Sequence, residues 1–155
     1  MPVQPIPEGY RSVTPYLVIK GAKDAIEYYR RVFGATERMR MDAPGGTIGH
    51  AELEIGDSLV MLADEFPEMG FRSPKTVGGT PVSLHVYVPN VDEVFGRAVD
   101  AGARPLRPVE NQFYGDRLGT IEDPFGHVWS IATHVEDVAP EEMKRRSEAM
   151  MKQKP

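Results

Sequence analysis

The sequence GDRLGTIEDPFGHVWSIATH, at Gly115–His134, predicts a β-hairpin. Its two strands are Asp116–Glu122 and His127–Thr133. The residues between them, DPFG, have turn chemistry, because proline presets φ at the second turn position and glycine tolerates a positive φ near the end. In the second strand, valine, serine and alanine alternate with tryptophan, isoleucine and threonine. This alternation predicts one face on an apolar layer and a smaller, more polar opposite face.

An earlier strand repeats this pattern. Ser58–Ala63 also follows a tight turn and shows a similar alternation. The offset that separates Met61 from Ser130 also carries Thr14 onto Ser83. The same offset relates helix positions, namely Ala22 to Val91, Ile26 to Phe95 and Tyr29 to Ala98. A fixed offset that relates strand to strand and helix to helix predicts an internal repeat.

The repeat predicts two halves with the element order β-α-β-β-β. In the first half, a strand at Ser12–Lys20 precedes an amphipathic helix at Ala22–Phe33. In the second half, a strand at Val82–Val88 precedes a helix at Val91–Ala101. We therefore expect an α+β protein with one domain, residues 10–135, made of two βαβββ modules. The predicted segments are an N-terminal arm at 1–9, the first module at 10–67, a linker or flap at 68–80, the second module at 81–135 and a C-terminal helical tail at 136–155.

Composition excludes several classes of function. The formal net charge of −5 argues against nonspecific binding to nucleic acid or to an anionic membrane. The absence of cysteine excludes disulfides, thiol catalysis and thiolate metal sites. The chain shows no apolar run long enough to span a bilayer and no signal-peptide pattern, so we expect a cytoplasmic protein.

Three features of the chain carry a resemblance to a known family: the repeat, the turn DPFGHVW at Asp123–Trp129 and the helix DAIEYYRRVFGA at Asp24–Ala35. On these features the chain resembles the vicinal oxygen chelate superfamily. That superfamily comprises glyoxalase, bleomycin resistance and extradiol dioxygenase proteins, and the resemblance is closest to its small PhnB-like members. It covers Tyr10–His134. It implies sheets rolled into a cup with helices outside, and a homodimer whose cups are completed within or between chains.

The resemblance also bears on metal binding. In metal-dependent members, four strands each present one ligand, typically a histidine or a glutamate. The resemblance places Thr14, Met61, Ser83 and Ser130 at the matching positions. Thioether and hydroxyl groups are poor ligands for the hard divalent metals of that family. We therefore expect no metal at the family position and no cofactor, with a divalent metal elsewhere as an open alternative.

Three residues are the candidate catalytic set: His50, Glu52 and His85. His50 and Glu52 alternate with apolar residues that should face the helices, and His85 shares a strand face with Ser83. One interpretation is a polar pocket wall. A second is an acid/base set, since imidazole titrates near neutral pH. A third is a metal set displaced from the family position.

The segment before the hairpin suits ligand contacts. Asn111–Arg117 is dense in polar and aromatic groups, as expected at the mouth of a cup, although a structural loop with a surface pair between Asp116 and Arg117 is an equal alternative. His127 is assigned to the turn, and His134 receives no role. The candidate ligand-binding residues are Thr14, Tyr16, Met61, Ser83, Tyr114, Asp116, Arg117 and Ser130.

Two classes of function follow. The first is a glyoxalase/bleomycin resistance-like protein that binds a small organic ligand in its cup without the family's metal. The alternative is a lyase, isomerase or dioxygenase of the same superfamily, acting through His50, Glu52 and His85 with a displaced metal or none.

Overall fold

The computed structural model of the chain describes residues 2–153. The first residue of the predicted arm and the last two residues of the predicted tail lie outside the described residues. The chain divides into two compact units. The first contains the described chain up to Thr80 together with Pro124–Gly126. The second contains Pro81–Asp123 and the described chain from His127 onward.

The first unit has the predicted order of one strand, one helix and three strands. The elements are β1 (Tyr16–Ile19), α1 (Ala22–Phe33), β2 (Thr36–Ala43), β3 (Thr47–Ile55) and β4 (Ser58–Asp64). The four strands form a sheet in the order β1-β4-β3-β2, in which β1 and β4 are parallel and the other pairs are antiparallel.

The second unit repeats this topology with the strand order β5-β8-β7-β6. Again the first strand is parallel to the last, and the other pairs are antiparallel. The α+β fold class with two βαβββ modules is therefore confirmed. The elements are β5 (Ser83–Tyr87), α3 (Val91–Asp100), β6 (Arg104–Asn111), β7 (Asp116–Glu122) and β8 (Val128–His134).

Strand register reproduces the offset read from the sequence. Tyr16 of β1 pairs with Met61 of β4. In the second unit, His85 of β5 pairs with Ser130 of β8. Each of these second-unit residues lies at the same distance along the chain from its counterpart in the first unit.

One helix covers one face of each sheet. Ile26 and Tyr29 of α1 are fully inaccessible, as is Leu62 of the first sheet. In the second unit, α3 packs closely on β7 at Gly119, where a Cβ atom would lie 2.7 Å from the Phe95 ring. Burial of these apolar side chains is the main force that holds each helix to its sheet.

The DPFG turn joins β7 to β8, but its residues Pro124–Gly126 pack with the first unit. The ring centroid of Phe125 lies 6.0 Å from that of Tyr28 and 6.3 Å from that of Tyr29. Gly126 has a φ of 91°, and a Cβ atom there would lie 2.8 Å from Cβ of Pro74. A glycine is therefore required at this turn by both conformation and space.

The predicted linker or flap at 68–80 contains regular structure. A β-bridge joins Phe66 to Phe71 around a 3-10 turn at Pro67–Met69. A short helix, α2 (Pro74–Val77), follows, and the Ser73 hydroxyl caps its N-terminus by accepting from the Thr76 amide. The predicted first strand, Ser12–Lys20, is shorter in the structure and begins only after Pro15, which has no backbone N–H to donate.

The predicted C-terminal tail contains α4 (Pro140–Gln153). The Arg146 guanidinium donates to the Glu136 carboxylate at 2.9 Å and to the Phe113 carbonyl oxygen at 3.1 Å. Within residues 2–153, no helix has the length and apolar character needed to cross a bilayer.

Candidate functional site

The face of the first sheet opposite α1 carries a row of directly paired side chains. Met61 pairs with Tyr16 on one side and with Glu52 on the other. Glu52 pairs in turn with Met39 of β2. Directly paired residues project from the same face of a sheet, so this face combines apolar side chains with one carboxylate.

Four side chains on this face form a hydrogen-bonded chain. The Tyr16 hydroxyl lies 2.9 Å from Nδ1 of His50, and Nε2 of His50 lies 2.9 Å from Oε2 of Glu52. The Tyr10 hydroxyl donates to Oε1 of the same carboxylate. Because a carboxylate only accepts, Nε2 of His50 donates to Glu52. When the ring is neutral, its Nδ1 accepts from the Tyr16 hydroxyl. Burial raises the pKa of Tyr16, which keeps its hydroxyl protonated.

A cavity of about 360 Å³ opens beside Tyr16 in the first unit. Its walls come from β1, the end of β2, β3, β4 and the Phe66–Phe71 segment. Three of its large apolar side chains, Phe66, Met69 and Phe71, are more than half exposed. The lining residues with apolar or aromatic side chains are Tyr16, Val18, Ala43, Ile48, Ala63, Phe66, Met69 and Phe71.

Two carboxylates in the cavity wall are engaged by the protein itself. Asp64 accepts hydrogen bonds from the backbone amides of Ala22 at 2.9 Å and Ile48 at 2.7 Å. Glu65 accepts from the Thr76 hydroxyl at 2.6 Å and from the Ser73 amide at 3.0 Å, and these hydrogen bonds lower its pKa. The surface left for a ligand is therefore mainly apolar.

The corresponding face of the second sheet is polar. His85 pairs with Ser130, and Ser130 pairs with Thr120. The hydroxyl oxygens of Thr120 and Ser130 are 3.1 Å apart. Beside this row, the ring centroids of His85 and Tyr87 are 5.0 Å apart.

A buried carboxylate lies on the same face. Asp116 accepts from the Tyr87 hydroxyl at 2.7 Å and from Nδ1 of His134 at 2.8 Å. Burial alone would raise the pKa of Asp116, but the hydrogen bonds from His134 and Tyr87 outweigh burial and lower it. Nε2 of His134 lies 2.7 Å from Asp137, so both ring nitrogens face carboxylates. The hydrogen bonds to Asp116 and Asp137 raise the pKa of His134.

The structure places most of the predicted site residues on two sheets, one in each unit. One face of the first sheet carries Tyr16, Met61, His50 and Glu52. His85 lies in the second unit. One face of the second sheet carries Ser83, His85, Ser130 and Asp116. Tyr114 lies in the loop before β7.

Two predicted ligand contacts occupy other places. Thr14 lies just before β1 and is half-buried. Arg117 projects from the face of β7 opposite to Asp116, since neighbouring strand residues alternate. Its guanidinium binds Asp92 of α3 through Nε at 2.8 Å. The alternative of a surface pair between Asp116 and Arg117 is absent, because each has its own partner.

Sequence reasoning missed Tyr10, His134 and the two phenylalanines of the Phe66–Phe71 segment. The last group carried a signal, since phenylalanines are unusual in a loop rich in glycine and proline. Tyr10 and His134 carried none, because their partners Glu52 and Asp116 are distant in the sequence.

The side chains at the positions that the resemblance assigns to the metal ligands do not fit a hard divalent metal. Thr14, Ser83 and Ser130 offer neutral hydroxyls, and Met61 offers a thioether. Within residues 2–153, no three histidine, aspartate or glutamate side chains form a group that could hold a metal.

The chain is similar to known proteins in sequence and in structure. Residues 13–131 match the sequence profile of the Glyoxalase/Bleomycin resistance protein/Dioxygenase superfamily. A protein of Mycobacterium tuberculosis, itself uncharacterised, is 42% identical over 136 residues, which span 86% of this chain and 80% of that protein.

Solved structures show the same similarity. TioX from Micromonospora sp. ML1 has a TM-score of 0.63 and 27% identity, over 83% of this chain and 100% of that chain. The PhnB protein from Bacillus cereus shares the fold, with a TM-score of 0.63 and 18% identity over 79% of this chain and 99% of that chain.

Proposed function

The chain belongs to the Glyoxalase/Bleomycin resistance protein/Dioxygenase superfamily, and from that premise we propose that it binds a small organic molecule in the cavity of its first unit. The ligand would have an apolar or aromatic body and one hydrogen-bonding group. The observation that carries this proposal is the apolar cavity of about 360 Å³ next to the hydrogen-bonded Tyr16.

The size and lining of the cavity support an organic ligand. Small-molecule sites are concave, mostly apolar and supplied with a few placed polar groups. Here the carboxylates of Asp64 and Glu65 already accept hydrogen bonds from the protein, so they offer little to a charged ligand. Met69 adds an adaptable thioether side chain to the wall.

The proposed binding needs no metal cofactor. The residues that the resemblance assigns to the metal ligands offer only thioether and hydroxyl groups, which supports binding without a metal. Metal analysis of protein purified without chelators tests it, and a stoichiometric divalent metal would overturn it.

A fluorescence titration with the neutral apolar dye Nile red tests ligand binding. We expect saturable enhancement, and Phe71→Ala should weaken binding about fivefold, which corresponds to about 1 kcal/mol of lost apolar contact. Val77→Ala is the matched control, because Val77 is similarly exposed but does not line the cavity. No saturable binding by the native chain, or equal losses in the two variants, would contradict the proposal.

A catalytic function is the second candidate, favoured by the contact between His50 and Glu52 at 2.9 Å. When His50 takes a proton from solvent water, its Nδ1–H donates to the Tyr16 oxygen. The Tyr16 hydroxyl can then donate to a carbonyl oxygen of a ligand in the cavity. Glu52 accepts from Nε2 of His50 in both protonation states of the ring.

Tyr16→Phe separates the two candidates. The variant keeps the aromatic wall and removes only the hydroxyl. For a binding protein, Nile red affinity should change less than twofold, and no turnover should be found. For an enzyme, the rate of deuterium exchange into small α-hydroxyketones, followed by NMR, should fall roughly a hundredfold in this variant.

We also propose that the chain forms a homodimer in the cytoplasm. Dimers are common among members of the superfamily, and the described chain exposes large apolar side chains such as Val13 and Val82. Burial of such side chains favours association.

A further inference from the structure

Four side chains form a row across the second sheet, on the face opposite α3. His85 pairs directly with Ser130. Thr120 pairs with both Ser130 and Arg107. Neighbouring strands lie about 4.8 Å apart, so the two hydroxyls occupy the middle of the row. Arg107 and His85, both exposed, stand at its two ends.

Arg107 differs from the other arginines of the second unit. Each of the others forms an ion pair with a carboxylate: Arg97 with Glu93, Arg104 with Glu122, Arg117 with Asp92, Arg145 with Glu142 and Arg146 with Glu136. Arg107 forms no ion pair with any residue that the structure describes. Its five N–H donors therefore remain available to a ligand.

The hydroxyl pair supplies a further donor. Thr120 and Ser130 are 3.1 Å apart, so one hydroxyl donates to the other. Whichever of them accepts keeps its own proton for an outside acceptor. His85 adds a ring N–H at the far end of the row.

The one buried carboxylate on this face does not cancel the positive charge of Arg107. Both Asp116 oxygens accept hydrogen bonds, one from Tyr87 and one from His134. Asp116 is therefore already engaged by two donors of the protein, and it makes no ion pair with Arg107.

We propose that this row, which we call the oxyanion row (His85, Ser130, Thr120 and Arg107), binds the carboxylate or phosphate group of a small molecule. The Arg107 fork matches the planar edge of such a group, and charge-assisted hydrogen bonds of this kind are strong. Tyr87, beside His85 and largely exposed, offers a ring on which the rest of the ligand can stack. The oxyanion row belongs to the second unit, whereas the apolar cavity belongs to the first unit.

NMR titration with phenyl phosphate and with inorganic phosphate tests the oxyanion row. Both probes are added to the full-length chain, and the amide signals of Thr120 and Ser130 are followed. We expect saturable shifts in the millimolar range. Tighter binding of phenyl phosphate would indicate an organic acid as the natural ligand, and equal binding would indicate a free oxyanion.

Arg107→Gln should weaken binding roughly tenfold, because it removes a charge-assisted contact. Arg104→Gln is the matched control, since Arg104 lies on the same strand and is exposed but bound to Glu122. Thr120→Val should also weaken binding while leaving the dispersed amide spectrum intact. The proposal is overturned if neither probe shifts Thr120 and Ser130, or if Arg104→Gln and Arg107→Gln lose affinity equally.

Discussion

Asp116 is a buried carboxylate of the second unit that is held by two donors. Its side chain is 5% exposed, and it accepts from His134 and from the Tyr87 hydroxyl. Removing charge from a buried acceptor that serves two donors leaves hydrogen-bonding capacity unsatisfied. The stability of this unit should therefore depend on the two hydrogen bonds that Asp116 accepts at the start of β7.

Asp116→Asn should lower the free energy of unfolding by about 1–3 kcal/mol, because hydrogen bonds to a charged group are worth that much. Urea denaturation followed by circular dichroism measures it. Asp137→Asn removes the other carboxylate at His134 but is fully exposed, and should cost no more than about 0.5 kcal/mol. An equal loss of unfolding free energy in the two variants would show that the burial of Asp116 does not add to stability.

His134 makes stability depend on pH. Its pKa in the folded chain is raised above the ordinary value of 6.5 by Asp116 and then by Asp137. The stabilisation is therefore fully present below pH 6.5 and is lost as the pH rises through the folded pKa. Urea midpoints of the native chain and of His134→Gln should converge as the pH rises above neutral. A difference that stays constant over this range would exclude the effect.

At this scale, the sequence predicted which residues share a strand face. It did not predict which side chains form hydrogen bonds with each other. Strand alternation placed His50 and Glu52 on one face, because it depends only on neighbouring positions. The partners of Asp116 and Arg117 could not be found in this way. They lie on other elements, and only the folded register brings them together.

At the scale of elements, the packing of α3 on β7 depends on a glycine in the strand. A Cβ atom at Gly119 would lie 2.7 Å from the Phe95 ring and 2.8 Å from a methyl group of Val109. Gly96 lies within α3 itself, and a Cβ atom there would meet nothing within 4 Å. Of these two glycines, only Gly119 is required by packing.

Gly119→Ala should destabilise the chain by about 1–3 kcal/mol through overpacking. Gly96→Ala should stabilise it by about 0.5–1 kcal/mol, since alanine favours the helix interior. Thermal unfolding of both variants provides the measurement. An unchanged thermal stability of Gly119→Ala would mean that α3 can move away from the sheet at little cost in free energy.

Repetition made the element order predictable, because one offset relates both strands and helices of the two modules. The segment between the modules was predicted less well. Its helix α2 has four residues, too few for a periodic pattern. The signals that existed were local: Ser73 followed by Pro74 at the start, and Gly78 at the end.

At the scale of the whole molecule, the two sheets share topology but differ in chemistry. The offset that maps Tyr16 onto His85 and Met61 onto Ser130 replaces an apolar pair with a polar one. The proposed ligands differ accordingly, an apolar molecule for the first unit and an oxyanion for the second.

Association is the prediction that belongs to this scale. Sedimentation equilibrium at micromolar concentration should give the mass of a homodimer, because exposed apolar side chains gain free energy when buried between copies. Val13→Lys, at a side chain that is 85% exposed, should shift the equilibrium toward monomer if Val13 lies in the interface. A monomer of the native chain at that concentration would remove the proposal.

The contacts of Phe125 with Tyr28 and Tyr29 affect how this polypeptide can be divided. A cut after Thr80 leaves the N-terminal fragment without a ring that packs on α1, because that ring is encoded more than forty codons downstream. A gene split at the boundary of the repeat would therefore yield two incomplete products. Reconstitution would require both fragments in one solution, with the C-terminal fragment returning the aromatic side chain that the N-terminal fragment lacks.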